Sequence, residues 1–140
     1  MRKVFNARIT CITALVAVAI TISLFLSGCE KDDLVAIRSL DTIEPEVIST
    51  TALTGGIVVA NRELELVEYG VCYNTTANPT TEDNVAPGTD LEEIIDGNRY
   101  SAEFKSTISL LTPGTTYYIR AFVTTRSGTA YGNQITFTTN

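Results

Sequence analysis

The chain has 140 residues, of which 10 are basic and 16 acidic, and it contains no histidine, no tryptophan and three cysteines. Its length predicts one domain, with room for little more than a tail. Without histidine, neither a Ser-His-Asp triad nor a Cys-His pair can form, and no imidazole is available to bind a metal. We therefore expect a protein that is not an enzyme and that has no cofactor.

The charge is distributed unevenly along the chain. Residues 1–28 contain three basic and no acidic residues, whereas residues 29–140 contain seven basic and 16 acidic residues, a net charge of −9. Seven scattered basic residues in so acidic a segment cannot form the positive stripe that binds a phosphate backbone. We therefore expect no nucleic-acid partner.

The N-terminal segment has the layout of a secretory signal peptide. Arg2, Lys3 and Arg8 provide a positively charged start, and an uncharged, mostly apolar run follows over residues 9–26. Residues 9–28 are also long enough for an uncleaved transmembrane helix, which is the alternative interpretation. The serine, threonine and glycine content of the run favours the signal peptide, which would begin the chain as a helix.

The end of this segment, Leu26-Ser27-Gly28-Cys29, resembles the bacterial lipobox, in which an aliphatic residue and two small residues precede a lipidated cysteine. The resemblance implies cleavage between Gly28 and Cys29 and attachment of acyl chains, such as palmitate, to Cys29. Three acyl chains at about 0.8 kcal/mol per buried methylene give stable anchoring. The membrane is therefore an expected partner through the lipid on Cys29.

Residues 29–39 are expected to be the lipidated cysteine and an acidic tether. Lys31-Asp32-Asp33 resembles the surface-export signal in lipoproteins of polysaccharide-degrading, anaerobic Gram-negative gut bacteria. The resemblance implies an outer-membrane lipoprotein exposed at the cell surface. A lipoprotein that faces the periplasm is the alternative.

The rest of the chain has the pattern of an all-β domain. Short runs rich in Val, Ile, Thr, Tyr and Phe lie between turn residues, at 35–40, 51–60, 66–74, 91–95, 100–109, 116–125 and 131–138. Pro87-Gly88 and Gly132-Asn133 are among the predicted turns. About seven antiparallel strands in about 105 residues are typical of an immunoglobulin-like sandwich. The strand order in residues 82–99 stays open.

Residues 111–121 resemble the corner between the fifth and sixth strands of fibronectin type III domains. In that pattern a leucine is followed by a proline two residues later and a tyrosine six residues later, which Leu111, Pro113 and Tyr117 match. The resemblance implies a fibronectin type III-like domain over residues 40–140. It also implies that Tyr117 is a tyrosine corner, whose hydroxyl bonds to backbone a few residues upstream.

The second strand lacks the tryptophan that is common in animal members of that family. We expect Leu53, Ile57 or Val59 to fill its space. Cys72 has no expected disulfide partner because Cys29 carries lipid, so we expect it to be buried as a small apolar residue.

Alternation along the strand 116–125 predicts which aromatic side chains face outward. Tyr117 faces the core, whereas Tyr118 and Phe122 face outward and could form an aromatic platform with Tyr131 for a sugar or a protein. The alternative is cross-strand pairing that only stabilises the sheet.

Three further features are candidates for sites. Asp83, Asn84 and Asp90 could supply oxygen ligands to calcium, a weak signal whose alternative is a solvated acidic loop. Asp41-Thr42-Ile43 resembles the O-glycosylation motif of the same gut bacteria, which implies a sugar on Thr42. Adjacent Glu92 and Glu93 are expected on opposite faces of a strand, so they cannot serve one catalytic site.

Together these features predict a non-catalytic lipoprotein of the outer membrane and cell surface that acts in adhesion, as a spacer or in protein interaction. Exposed edge strands would offer a route for binding a partner strand. The alternative is a glycan-binding accessory lipoprotein of a polysaccharide-uptake system. The partner, whether protein or glycan, is not identified by the sequence.

Overall fold

The computed structural model describes residues 36–140. The predicted signal helix and the lipobox lie outside them. The described chain forms seven strands, β1 Ile37–Ile48, β2 Thr51–Ala60, β3 Glu68–Asn74, β4 Asn84–Asp96, β5 Arg99–Ile108, β6 Thr116–Thr125 and β7 Gly128–Thr138. Within residues 36–140, no helix has the length and apolar character needed to cross a membrane.

The seven strands pair in antiparallel fashion in one sheet, in the order β1-β2-β5-β4-β3-β6-β7. The prediction of an all-β fold with seven antiparallel strands is therefore confirmed. β2 and β6 begin and end where the sequence predicts. β1 is longer than predicted and continues to Ile48, and β4 begins at Asn84 instead of residue 91.

β4 changes its partner part-way along its length. Residues 84–87 pair with β3, and residues 88–96 pair with β5. The sheet thus has two halves. Half A consists of β1, β2, β5 and residues 88–96, and half B consists of residues 84–87, β3, β6 and β7.

The predicted turn at Pro87-Gly88 is wrong, because both residues lie inside β4 at the change of partner. Pro87 has no N–H to donate, which costs little where one ladder ends and the next begins. A Cβ on Gly88 would collide with the ring of Tyr69, so the glycine allows the two strands to diverge around that ring. Proline and glycine occur at positions 87 and 88 because the strand changes its pairing partner there, and not because the strand ends there.

The inward-facing side chains of both halves form one hydrophobic core. Tyr100, Phe104 and Ile108 from β5 belong to the same buried cluster as Val71 from β3 and Ile119 from β6. Burying a side chain of this kind contributes about 1.5–3 kcal/mol to the free energy of unfolding. The core therefore ties the halves together even though β4 is the strand that they share.

The face of β2 that packs on this core differs from the prediction. The positions that face the core are Ala52, Thr54, Gly56, Val58 and Ala60, all of them buried. Leu53 is exposed, and Ile57 and Val59 are half-buried on the opposite face, so none of the three fills the space of the missing tryptophan. Phe104 of β5 approaches there instead, since a Cβ on Gly56 would lie 2.6 Å from the Phe104 ring. β2 has apolar residues on both faces, so alternation alone did not determine its orientation.

The outermost strands, β1 and β7, lie side by side, so the sheet is almost closed. Thr42 of β1 bridges this seam with three hydrogen bonds. Its N–H donates to Asn133 Oδ1 (2.8 Å), its hydroxyl donates to Asn133 O (2.5 Å), and the same hydroxyl accepts from Ala121 N (2.9 Å). The predicted turn at Gly132-Asn133 is wrong, because these residues form an irregularity within β7 that turns Asn133 toward β1.

Candidate functional site

The outer face of half B, on the side away from the core, is covered. Cys72 and Phe122 alternate with core residues along their strands, and both are 0% exposed without belonging to the main core cluster. Phe122 lies directly opposite Gly70 of β3 and Tyr131 of β7. The prediction that Phe122 is exposed is therefore wrong, although the alternation that places it outside the core is correct.

The cover is the loop 75–83, which joins β3 to β4 and is attached at several points. Asn78 N donates to Gln134 Oε1 (2.5 Å), Thr81 N donates to Tyr131 Oη (3.2 Å), and the thiol of Cys72 donates to Pro79 O (3.3 Å). Pro79 is fully buried in this position. The loop thus forms a second, smaller core with the outer face of half B.

The predicted aromatic platform is not assembled on this face. Tyr131 uses its hydroxyl on loop 75–83, and the Arg120 guanidinium covers its ring at 4.7 Å from the ring centre. Tyr118 is half-buried, and Phe122 is closed off from solvent. Phe122 and Tyr131 are cross-strand neighbours, which is the arrangement that the alternative interpretation describes.

Asp83 closes a turn within loop 75–83. Its carboxylate accepts hydrogen bonds from Thr80 N (2.8 Å) and Asn74 Nδ2 (2.7 Å), and these bonds hold the pKa of the carboxyl below its usual range. Asp90 lies beyond an extended stretch of β4, which at about 3.3 Å per residue places it on the order of 20 Å away. The part of the chain that the structure describes holds no group of three or more His, Cys, Asp or Glu suited to a metal. Asp90 is therefore not brought together with the other candidate calcium ligands, Asp83 and Asn84.

Thr42 and Tyr117 have structural positions. The side chain of Thr42 is 7% exposed, and its hydroxyl already donates one hydrogen bond and accepts another at the seam. The folded domain therefore does not present Thr42 to a glycosyltransferase. Tyr117 accepts a hydrogen bond from Thr112 N at 3.1 Å, five residues upstream, which is the contact expected of a tyrosine corner. Gly28 and Cys29, the predicted cleavage and lipidation site, lie outside the described residues.

The burial expected for Cys72 is confirmed. Burial raises the pKa of its thiol from 9.0 to about 11, and the nearby charge of Arg120 lowers it only in part. The thiol is thus protonated at neutral pH and is a poor nucleophile.

The outer face of half A is open, and sequence reasoning did not single it out. Ile94 of β4 lies opposite Ser101 of β5, which in turn lies opposite Val59 of β2. Ile94 is 67% exposed and Val59 is half-buried. No loop of the described chain is attached to this row as loop 75–83 is attached to half B. This row of two apolar side chains with a serine between them is therefore available to a partner.

A cleft of about 730 Å³ with polar and apolar lining opens at one end of half A. It is lined by Arg38, Val59, Ala60, Asn61, Asp96, Asn98 and Arg99. The lining residues come from β1, the end of β2 and the turn between β4 and β5, and no local sequence pattern joins them. Guanidinium and amide groups in this arrangement can donate hydrogen bonds to hydroxyl or carboxylate oxygens.

The free edge of β4 is the other feature of half A. Residues 88–96 pair with β5 on one side, and no other backbone hydrogen bond within residues 36–140 reaches them. The hydroxyl of Tyr100 donates to Glu93 Oε1 (2.5 Å) at this edge, and burial together with that bond raises the pKa of Tyr100. The sequence signal for this edge was the acidic stretch around Ile94 and Ile95. The sequence did not predict the strand order of that stretch.

No protein-family model, no curated protein and no solved structure matches this chain. The function is therefore argued from the surfaces of the domain and from the N-terminal sequence.

Proposed function

We propose that this protein is a non-catalytic lipoprotein of the outer membrane, exposed at the cell surface and anchored by lipid on Cys29, whose domain binds a protein partner. The lipobox Leu26-Ser27-Gly28-Cys29 supports the anchor, and Lys31-Asp32-Asp33 supports surface exposure. The domain is an immunoglobulin-like sandwich of the fibronectin type III kind. Its division into two halves around one core and the Tyr117–Thr112 contact support this assignment.

The observation that carries the interaction function is the free edge of β4 beside the open outer face of half A. Soluble proteins usually keep edge strands short or covered, because unpaired N–H and C=O groups attract other strands. Here residues 88–96 are left unpaired on one side, and Ile94 and Ile95 are 67% and 57% exposed. Half B, by contrast, buries Cys72 and Phe122 on its outer face. The domain thus has one face built for stability and one available for binding.

Glycan binding in a polysaccharide-uptake system is the second candidate. The aromatic platform expected for it is not assembled, so its remaining support is the cleft that Arg38 and Arg99 line. Purified protein on a glycan array, compared with an Arg38→Ala/Arg99→Ala variant, tests this candidate. Binding that disappears in the variant would favour glycan capture over a protein partner.

The anchor and the location are tested in cells of the native organism. Metabolic labelling with a palmitate analogue should mark the wild-type protein and not a Cys29→Ser variant. External protease added to intact cells should degrade the wild-type protein. Resistance to protease until the outer membrane is opened would instead establish the periplasm-facing alternative.

The interaction function is tested by recovering the lipidated protein from intact cells after chemical crosslinking. A partner that is enriched with the wild-type protein, relative to cells that lack it, is the expected result. Recovery of the protein without any enriched partner would contradict an interaction role and favour a spacer.

A further inference from the structure

The free edge of β4 has properties that define the chemistry of what it can bind. We propose that residues 90–96, the β4 edge, bind an extended, basic segment of a partner polypeptide, which adds an antiparallel or parallel strand to half A. This inference rests on the proposed interaction function and deepens it by assigning the site and the class of partner.

The backbone of the β4 edge is open along a strand-length stretch. Residues 92–96 pair regularly with β5, and β3 pairs with β4 only over residues 84–87. Every second residue of an edge strand directs its N–H and C=O away from the sheet, where they can pair with an added strand. Five regular residues are close to the usual length of a strand of about five to six.

Apolar side chains flank this backbone on both faces. Ile94 and Ile95 are neighbours, so their side chains point to opposite faces of the sheet. They are 67% and 57% exposed, which is unusual for isoleucine on both faces of one strand. An added strand would cover part of each side chain, because cross-strand neighbours have Cβ atoms about 4.5–5.5 Å apart.

The charge around the edge is strongly negative. Asp90, Glu92, Glu93 and Asp96 lie on the edge itself, and Glu103 of β5 lies directly opposite Glu92. The basic residues that pair with this part of β4 are Arg99, opposite Asp96, and Lys105, opposite Thr89. Glu63 adds to the negative charge, since it and Glu93 both contribute to the raised pKa of Tyr100.

This charge selects between two occupants. A second copy of the chain would place four carboxylates opposite the same four carboxylates, and like charges on facing strands are destabilising. A lysine- or arginine-rich strand would instead form favourable cross-strand pairs of opposite charge with these carboxylates. The carboxylates that protect the edge from self-association therefore favour a basic partner.

The regular part of the edge also has a defined start. Asp90 has a positive φ of 51°, and the pairing with β5 is irregular between Thr89 and Glu92. Such a bulge interrupts the line of backbone groups. An added strand should therefore protect the outward-facing N–H groups within residues 92–96 and leave exchange at residues 88–89 unchanged.

The test uses the full-length protein in detergent micelles and a capped peptide of alternating lysine and valine. One control peptide has glutamate in place of lysine, and a second has alternate backbone amides N-methylated, which prevents strand pairing on that side. Fluorescence anisotropy measures binding, and amide hydrogen exchange locates it. We expect the basic peptide to bind and to slow exchange at the alternate residues within 92–96 whose N–H groups face away from β5. N-methylation should weaken binding at least tenfold, and the glutamate peptide should not bind.

Matched variants separate the edge from general electrostatic attraction. Glu92→Lys/Asp96→Lys changes the charge at the edge, whereas Glu44→Lys/Glu46→Lys makes the same change at exposed positions of β1. The edge variant should lose at least tenfold in affinity for the basic peptide, and the β1 variant should lose less than threefold. Equal losses in both variants, equal binding of the N-methylated peptide, or unchanged exchange at residues 92–96 would each overturn the proposal.

Two further outcomes distinguish this inference from the proposed function. A concentration-dependent dimer that protects residues 92–96 without peptide would assign the edge to a second copy and overturn the inference. A native partner that is recovered equally well by the wild-type protein and by Glu92→Lys/Asp96→Lys would keep the interaction function and reject the edge as its site. A partner lost only in the edge variant supports both.

Discussion

The outer faces of the two halves consist of the same kind of alternating strand, but they differ in solvent exposure. On half B, Phe122 and Cys72 are completely buried, and loop 75–83 is attached to this face at Cys72 and Tyr131. On half A, Ile94 remains 67% exposed and Leu53 42% exposed. Alternation determines which side chains share a face of a sheet. Whether that face is excluded from solvent depends on whether another segment folds over it. Alternation along the strand does not show whether such a segment exists.

The difference separates stability from binding within one small domain. The covered face of half B adds a second buried cluster, which should contribute to the free energy of unfolding. The exposed side chains on the open face of half A should contribute less to it. Five predictions test this contrast and the packing around it.

The largest effect is expected at the centre of the covered face. Phe122→Ala should lower the free energy of unfolding by about 3–5 kcal/mol, because it removes a fully buried ring and leaves a cavity beneath loop 75–83. Ile94→Ala on the open face should change it by less than about 0.5 kcal/mol. Urea denaturation followed by circular dichroism measures both.

If Phe122→Ala does not fold, Phe122→Leu provides the same comparison at a smaller expected cost of about 1–2 kcal/mol. Equal effects of substitutions at positions 122 and 94 would show that the covered face has no special role in stability.

The next effect concerns the reactivity of Cys72 beneath the cover. A pKa raised from 9.0 to about 11 lowers the fraction of reactive thiolate about 100-fold, in addition to the steric protection by Pro79. Native protein at pH 8 should therefore resist iodoacetamide at Cys72, as measured by peptide mass spectrometry. A cysteine placed on the open face by Ile94→Cys, in a Cys72→Ala background, should react rapidly. Comparable rates at the two positions would mean that loop 75–83 opens freely.

The same pKa predicts how stability depends on pH. The folded state holds the thiol proton until about pH 11, whereas the unfolded state releases it near pH 9.0. Stability from this group is therefore complete below pH 9 and is lost as the pH rises from 9 to 11. Cys72→Ala should show a smaller decrease in the free energy of unfolding over that range.

The seam between β1 and β7 tests how the two halves are held closed. Thr42→Val keeps the shape of the side chain and removes the hydroxyl, which leaves Ala121 N without the acceptor it has at 2.9 Å. The expected loss is about 2 kcal/mol, because a buried N–H is left unpaired. Thr107→Val, at an exposed position of β5, is the matched control and should change stability by less than about 0.5 kcal/mol. A loss no larger than that of the control would show that the seam is held by other contacts.

The smallest effect is expected in the main core, where the hydroxyl of Ser106 is buried without a hydrogen-bond partner in the described chain. Ser106 is 1% exposed, and its hydroxyl has no hydrogen-bond partner among residues 36–140. Ser106→Ala should raise the free energy of unfolding by up to about 1 kcal/mol, because it removes an unsatisfied buried hydroxyl. Ser101→Ala, on the open face of the same strand, should have no measurable effect. Destabilisation by Ser106→Ala would indicate that the hydroxyl has a partner, such as a buried water.

Much of the fold was predictable because its signals are local. The bounds of β2 and β6, the number of strands, the burial of Cys72 and the contact of Tyr117 with backbone upstream follow from alternation, turn residues and one short motif. The candidate binding surface was less predictable. The sequence favoured Tyr118, Phe122 and Tyr131, whereas the surface that stays open lies on β4 and β2 of the other half.

The sequence by itself determined the strands, the side-chain faces within most of them and the corner at Tyr117. Only the tertiary structure decided the orientation of β2, the change of partner at Pro87-Gly88, the cover over Phe122 and the bridge at Thr42. The physical reason is the distance along the chain over which each contact acts. Alternation and turn preferences act over a few residues, whereas Thr42 and Asn133 are 91 residues apart and meet only when the sheet is almost closed.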